Sequence, residues 1–237
     1  MKMIKEAIIL AGGLGTRLRS VIRDIPKPMA DVGNKPFLTY ILDYLNSYNI
    51  KHVVLSVGYK WETIKDFFGN HYKEIYIEYA VEKELLGTGG GVKNAFRFID
   101  NKESFILNGD TFFDIDLYRF YELHNSKSSK FSIALKKMEK ADRYGSIVID
   151  NNNRIVSFKE KGMSSNVLIN GGIYVINKDF YIKLKKEAKF SLEKDVLETC
   201  YKDYQFYGFP FESFFIDIGV LEDYEKAREY FKTIQDR

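Results

Sequence analysis

The stretch Leu10-Ala11-Gly12-Gly13-Leu14-Gly15-Thr16-Arg17-Leu18 sets three glycines and an arginine directly behind the first apolar run. Glycine lets backbone N–H groups approach phosphate oxygens without a side-chain clash. Arg17 brings a cation into the loop itself. Lys27 supplies a second, held between Pro26 and Pro28, whose rings restrict the backbone. The chemistry these types suit is the gripping of a polyphosphate. Two common phosphate motifs do not fit. No Gly-Lys pair exists anywhere in the chain, which removes the Walker pattern, and G-x-G-x-x-G starts at Gly13 and Gly15 but reaches Leu18. A glycine-rich turn with a solvated arginine is the plainer alternative. The three glycines, Arg17 and Lys27 together favour phosphate.

Two carboxylates form a second constellation. Asp110 follows the apolar run Ser104–Leu107 beyond Asn108-Gly109, and Asp217 sits late in Ser213–Ile218, just before Gly219. Hard oxygen ligands at strand ends suit Mg²⁺, which keeps waters and binds through one or two carboxylates plus substrate phosphates. Capping of a strand end is the plainer role for each. The run Gly87-Thr88-Gly89-Gly90-Gly91 precedes a helical pattern at Val92–Ile99, whose N-terminus is a natural ligand-binding end.

These residues need a scaffold. Ala7–Leu10, Lys51–Val57, Ile75–Ala80 and Ser104–Leu107 read as strands; Phe37–Tyr48, Trp61–Phe68, Val92–Ile99 and Leu117–His124 read as helices. That alternation predicts an α/β fold, with nearly continuous apolar strands buried on both faces. The second half differs. Phe131–Lys137, Ser146–Ile149, Arg154–Phe158 and Ile169–Ile176 are strand-like, with a hairpin turn at Asp150–Asn153. Helical stretches near Tyr181–Lys186 and Leu192–Lys202, strands Gln205–Phe209 and Ser213–Ile218, and a helix at Leu221–Phe231 follow. The expectation is a single Rossmann-like domain over residues 1–237, with a mixed, mostly parallel central sheet flanked by helices and a smaller antiparallel part. The change of pattern divides it into two halves, about residues 1–115 and about 116–237.

Composition narrows the classes. Lys+Arg 36 against Asp+Glu 33 leaves +3, which argues against a nucleic-acid partner. A 16% aromatic content needs burial and excludes extensive disorder. One cysteine, Cys200, cannot form an internal disulfide. No apolar run approaches the ~18 residues of a spanning helix, and Ala7–Ala11 is too short for a signal peptide. A cytoplasmic protein without membrane partner is expected. His52, His71 and His124 show no metal spacing, and His52 and His71 read as structural; Cys200, Tyr118, Phe120 and Tyr121 read as packing. The aromatic segment Tyr204–Phe215 is core or a homodimer contact.

The loop through Arg17-Leu18 with Pro26-Lys27-Pro28 resembles the signature of the sugar-1-phosphate nucleotidylyltransferases. Later segments resemble that family in its order: Gly87–Gly91, Asn108-Gly109-Asp110, Tyr144-Gly145, Phe158-Lys159-Glu160-Lys161, Asn170-Gly171-Gly172-Ile173-Tyr174 and Ile216-Asp217-Ile218-Gly219. The resemblance implies that a sugar-phosphate oxygen attacks the α-phosphorus of a nucleoside triphosphate and pyrophosphate leaves. No protein nucleophile is required, so catalysis is positioning and charge neutralisation. It further implies that Gly12, Gly13, Gly15, Thr16 and Arg17 hold the phosphates, with Arg17 on the leaving pyrophosphate. Lys27 stands near the reacting phosphates, Lys161 neutralises the sugar phosphate, and Asp110 and Asp217 hold Mg²⁺. Leu10, Ala11, Gly87 and Thr88 line the nucleotide. Gly145, Glu160 and Asn170 hold sugar hydroxyls.

Glu82 stands where family members using uridine or thymidine nucleotides often carry an amide. A carboxylate only accepts hydrogen bonds. Guanine offers N1–H and its 2-amino group side by side, whereas the carbonyls flanking N3–H of uracil or thymine repel a carboxylate. Glu82 therefore points to GTP; a solvated pair with Lys83 is the plainer reading. The runs Gly15–Pro28, Lys35–Leu38 and Leu86–Gly90 look most like the heptose-1-phosphate guanylyltransferases of that family, which make GDP-D-glycero-D-manno-heptose for surface polysaccharides. Uridylyl, thymidylyl or guanylyl transfer to another sugar 1-phosphate (a hexose or N-acetylmuramate), and a non-catalytic nucleotide-sugar sensor, are the alternatives. Ser20, Gly162 and Val220-Leu221 depart from the family pattern, and Gly162 bears on the loop carrying Lys161.

Overall fold

The computed structural model describes residues 3–13, 25–140, 143–159 and 165–235. Gly15, Thr16, Arg17, Glu160 and Lys161 lie outside the described residues, as do Ser20 and Gly162. In chain order the elements are β1 (Glu6–Leu10), β2 (Asp31–Val32), β3 (Lys35–Pro36), α1 (Phe37–Ser47), β4 (His52–Val57), α2 (Trp61–Phe68), β5 (His71–Tyr72), β6 (Ile75–Val81) and α3 (Gly87–Ala95). Then come β7 (Glu103–Asn108), β8 (Thr111–Phe113), α4 (Leu117–Ser126), β9 (Phe131–Lys140), β10 (Ser146–Ile149), β11 (Ile155–Lys159), β12 (Ser165–Asn177) and α5 (Lys178–Ile182). A π-helical turn (Leu192–Leu197) runs on into α6 (Glu198–Cys200), followed by β13 (Phe206–Phe211), β14 (Phe215–Asp217) and α7 (Leu221–Gln235).

The fold is α/β with a mixed sheet. The main sheet runs β11-β10-β12-β7-β1-β4-β6-β5, with β9 paired to β12 and β13 to β9. Its centre is parallel: β1 lies between β7 and β4, and β4 pairs with β6. From β12 onward the pairing turns antiparallel, apart from β13 alongside β9. Asp150 makes the β10–β11 hairpin, its Oδ1 accepting the N–H of Asn152 and Arg154. Among the described residues no helix is long and apolar enough to cross a membrane.

The continuous apolar strands reflect two buried faces. Ile9, Val53, Leu55, Phe105 and Leu107 meet Phe37, Ile41 and Leu45 of α1, Phe120 of α4 and Phe231 of α7. Ile8, Val54 and Ile106 alternate with them and meet Val92 of α3, Phe96, Tyr181 of α5 and Val196. Most of the Tyr204–Phe215 segment belongs to this core. Phe206 and Phe209 are fully buried, Phe206 stacks on Phe131 and Phe214 on Tyr230 of α7, while Tyr204 is exposed. Cys200 is buried as expected; Tyr118 is exposed, unlike Phe120 and Tyr121.

Strand ends shift by a few residues from the pattern-based expectation, and three helical stretches differ in start or type. The helix expected from Val92 starts at Gly87, because its first turn packs against residues 188–192 where side chains have no room. A Cβ on Gly89 would stand 2.4 Å from the Phe190 ring, and one on Gly90 2.4 Å from the Ala188 carbonyl oxygen. Close packing overrides the poor helix propensity of glycine there. The helix expected at Tyr181–Lys186 lies earlier, capped by the Asn177 side chain, which accepts the Phe180 N–H. The stretch from Leu192 begins as a π turn rather than a regular helix.

Candidate active site

Asp110 is placed by a close approach of two strand ends. Gly109 N–H donates to the Leu10 carbonyl at 2.9 Å, and a Cβ on Gly109 would lie 2.6 Å from that oxygen. The missing side chain lets the end of β7 close on the end of β1. Asp110 therefore leaves the sheet beside the chain that leaves β1, at the carboxyl edge of the parallel strands where such sheets bind ligands.

Asp217 reaches the same place through a separate two-stranded sheet. β14 pairs antiparallel with β8, setting Asp217 opposite Thr111, and the Ile218 N–H donates to the Asp110 carbonyl at 2.9 Å. Asp217 Oδ1 accepts the Gly219 N–H at 2.7 Å, and Asp217 Oδ2 accepts the Tyr144 hydroxyl at 3.4 Å. Burial, and next the Asp217 charge, push the Tyr144 hydroxyl well above the ordinary tyrosine range. The tyrosine stays a neutral donor to the carboxylate.

Lys27 lies in a single 3₁₀ turn, Lys27–Met29, entered through the extended Pro26. Its Nζ is 2.6 Å from Asp110 Oδ2 and 4.0 Å from Asp217 Oδ1. The lysine side chain is 11% exposed, the aspartates 37% and 26%, so the carboxylates keep an open side. Two carboxylates that already converge on one cation fit a divalent metal. Among the described residues no group of three or more ligating side chains exists. A metal held here would complete its shell with water and substrate phosphate, as Mg²⁺ does.

A cleft of about 520 Å³ opens beside this cluster. Leu10, Ala11, Gly12, Gly13, Lys27, Glu82, Gly87, Thr88 and Asp110, all singled out from sequence, line it together. The Glu82 carboxylate bridges two parts of the wall: Oε1 accepts the Ser56 hydroxyl and Oε2 the Leu86 N–H, each at 3.0 Å. Among the described residues it makes no ion pair with Lys83. Gly89 and Gly90 N–H both donate to the Phe190 carbonyl, so α3 offers the cleft Gly87 and Thr88 rather than the whole glycine run.

A second pocket of about 520 Å³ adjoins, lined by Gly145, Ser146, Ile147, Phe158, Lys159, Asn170, Glu193, Lys194, Leu197 and Glu198. It gathers the expected sugar residues Gly145 and Asn170. Asn170 stands at a bulge in β12, where Gly172 takes a φ of +74°. Its Oδ1 accepts the Gly172 N–H at 2.8 Å, and its Nδ2 donates to the Tyr174 hydroxyl at 2.7 Å.

Ser56, Lys189 and Glu193 also line the cleft and escaped the sequence reading. Glu193 faces both cavities, its Oε2 accepting the hydroxyls of Thr88 and Ser191 at 2.8 and 3.0 Å. Ser191 carries an N-cap signal, since its hydroxyl accepts the Lys194 N–H. That signal marks a helix start, not a cleft wall. His52 is structural, as expected, bridging Glu6 and Glu78 at 2.9 Å on each ring nitrogen; His124 is buried on Ser132, and His71 is exposed beside the Tyr76 ring.

A family model described as nucleotidyl transferase matches residues 6–233. The D-glycero-alpha-D-manno-heptose 1-phosphate guanylyltransferase of Aneurinibacillus thermoaerophilus is 49% identical over 224 residues, covering 94% of this chain and 97% of that protein. Its counterpart from Campylobacter jejuni is 48% identical over 219 residues, covering 92% and 96%. Among solved structures, HddC from Yersinia pseudotuberculosis complexed with GMP-PN superposes with a TM-score of 0.85 at 38% identity, over 97% of this chain and 100% of that one.

Proposed function

The chain belongs to the sugar-1-phosphate nucleotidylyltransferase family, and we propose that it joins GTP to D-glycero-D-manno-heptose 1-phosphate, giving GDP-heptose and pyrophosphate. One observation carries the reaction class. Lys27, Asp110 and Asp217 converge at the carboxyl edge of the parallel strands, where Lys27 and Asp110 line a glycine-rich cleft, and a second pocket holding Gly145 and Asn170 shares Glu193 with that cleft. The choice of guanine and heptose draws on the proteins this chain is similar to over most of its length. Glu82 in the cleft wall supports guanine. Its oxygens each accept one hydrogen bond from the protein and retain lone pairs for the N1–H and 2-amino donors of the base.

A phosphate oxygen of the sugar 1-phosphate attacks the α-phosphorus in line. The new P–O bond forms as the bond to the β-phosphate breaks, and pyrophosphate leaves with the electron pair. Mg²⁺ bound to Asp110 and Asp217 would neutralise the phosphate oxygens that gather charge. Lys27 sets the two carboxylates against one another and adds a positive charge beside the reacting phosphates. The backbone of Gly12 and Gly13 approaches the triphosphate. In this proposal Thr16 and Arg17 hold the departing pyrophosphate with Gly15, and Glu160 and Lys161 hold the sugar hydroxyls and phosphate. The reaction belongs in the cytoplasm, where nucleoside triphosphates are made and held, and supplies an activated heptose for surface polysaccharide.

Incubation with each nucleoside triphosphate and a panel of sugar 1-phosphates, with pyrophosphate detection, tests the proposal. Release with GTP and the heptose 1-phosphate is expected. Turnover with UTP or dTTP but not GTP contradicts the base assignment.

A further inference from the structure

We propose that Glu198, on the outer wall of the second pocket, selects the sugar by accepting hydrogen bonds from hydroxyls of its exocyclic chain, and so separates a heptose from the corresponding hexose. The inference rests on the sugar 1-phosphate reading above and names the residue that makes that choice.

A heptose and a hexose of the same ring configuration differ by one hydroxymethylene unit. An apolar wall discriminates such a difference weakly, whereas a polar group bonded to the extra hydroxyl is left unpaired by the shorter sugar. The selecting group must therefore be polar, line the pocket and be uncommitted within the protein. Asn170 is committed at both ends of its amide, to Gly172 and Tyr174. Glu193, held through Oε2 by the Thr88 and Ser191 hydroxyls, lines the nucleotide cleft as well as this pocket and so is not confined to the sugar end. Ser146 lies in the sheet between Lys159 and Ile169 and is 7% exposed.

Lys159, Lys194 and Glu198 remain. Their side chains make no hydrogen bond or ion pair among the described residues, though all three line the cavity. Of these only Glu198 accepts. The two oxygens of one carboxylate take both hydroxyls of a glycol, the group that ends a heptose chain.

The backbone sets this carboxylate one turn beyond a residue that lines the nucleotide cleft. The Glu198 N–H donates to the Glu193 carbonyl, the i to i+5 bond of a π turn. Glu193 and Glu198 therefore stand one turn apart along the same wall. Glu193 is at the neck shared with the nucleotide cleft, and Glu198 lines only the sugar pocket. Ile147, Phe158 and Leu197 give the pocket an apolar lining for the C–H face of the sugar.

Calorimetric binding of GDP-heptose, GDP-mannose and GDP to the wild type and to Glu198→Ala tests the assignment, because the shared GDP keeps each affinity measurable. The wild type should prefer GDP-heptose over GDP-mannose. The variant should lose that preference by about ten-fold or more while binding GDP as before. A structural role for Glu198 would weaken both nucleotide sugars alike. An unchanged preference in the variant, or no preference in the wild type, overturns the proposal. A wild type that binds neither nucleotide sugar more tightly than GDP contradicts the sugar reading itself, and this assignment with it.

Discussion

The Lys27 ammonium lies 2.6 Å from Asp110 Oδ2, across a gap that β1, β7 and the 3₁₀ turn at Lys27–Met29 close from different directions. A cation so placed both orders the carboxylate and faces the phosphates. Lys27→Met should lower kcat by about 10²–10³, the scale for loss of one preorganised charge at a reacting group. A thermal melt should find the variant folded. Steady-state rates of pyrophosphate release check it.

Asp217 ends β14 and reaches Lys27 with its carboxylate, and neutralising it tests the metal site. Asp217→Asn keeps the acceptor for the Gly219 N–H but removes a charge. Addition of Mg²⁺ with a nonhydrolysable GTP analogue should raise the Tm of the wild type through ligand linkage. The same addition should raise the Tm of Asp217→Asn markedly less. Equal shifts for both proteins would remove Asp217 from the metal site.

Gly109 is needed for its missing side chain. In Gly109→Ala the new Cβ would meet the Leu10 carbonyl oxygen at 2.6 Å, and backbone would have to move. A loss of about 1–3 kcal/mol in denaturant unfolding is expected, as for other overpacked sites. Gly13→Ala is the control, since nothing lies within 4 Å of its Cβ position. Its stability should be unchanged.

Acid should weaken the fold through Glu6. Burial pushes its carboxyl up, but hydrogen bonds from His52, from the backbone N–H of Asn101 and Asp100 and from the Asn101 amide together hold it below the ordinary value of 4.5. A carboxyl lowered on folding stabilises fully above its unfolded pKa, and that contribution is lost as pH falls through the folded one. The Tm should therefore fall below about pH 4.5, near the ordinary glutamate value. Glu6→Gln should have a lower Tm at neutral pH and a shallower fall in acid. A Tm profile from pH 3 to pH 7 checks both.

The parallel centre of the sheet was legible because Ile8, Ile9, Val53, Val54, Leu55, Phe105 and Ile106 are apolar on both faces, a signal local to each strand. The cleft residues from Leu10 to Gly13, with Lys27, Glu82, Gly87, Thr88 and Asp110, were legible because glycine, charge and proline cluster around them. Their convergence on one cavity rests on the pairing of distant strands, β1 with β7 and β4, and β4 with β6, which no single segment shows and only the family resemblance implied. Glu193, Lys189 and Ser56 were missed for the same reason. Nothing in the run around Leu192 shows that Phe190 and Ala188 press on the glycines of α3, yet that contact brings Glu193 to the neck between the cavities. The start of α3 was misjudged because packing, not propensity, makes those glycines helical.

The central claim is the pairing of guanine nucleotide with a heptose 1-phosphate. Pyrophosphate release should be measured with GTP, UTP, dTTP, CTP and ATP against D-glycero-D-manno-heptose 1-phosphate, in the presence and absence of Mg²⁺. Release with GTP and Mg²⁺, exceeding every other nucleotide, is the expected result. Efficient release with UTP or dTTP, or none with any nucleotide, would contradict it.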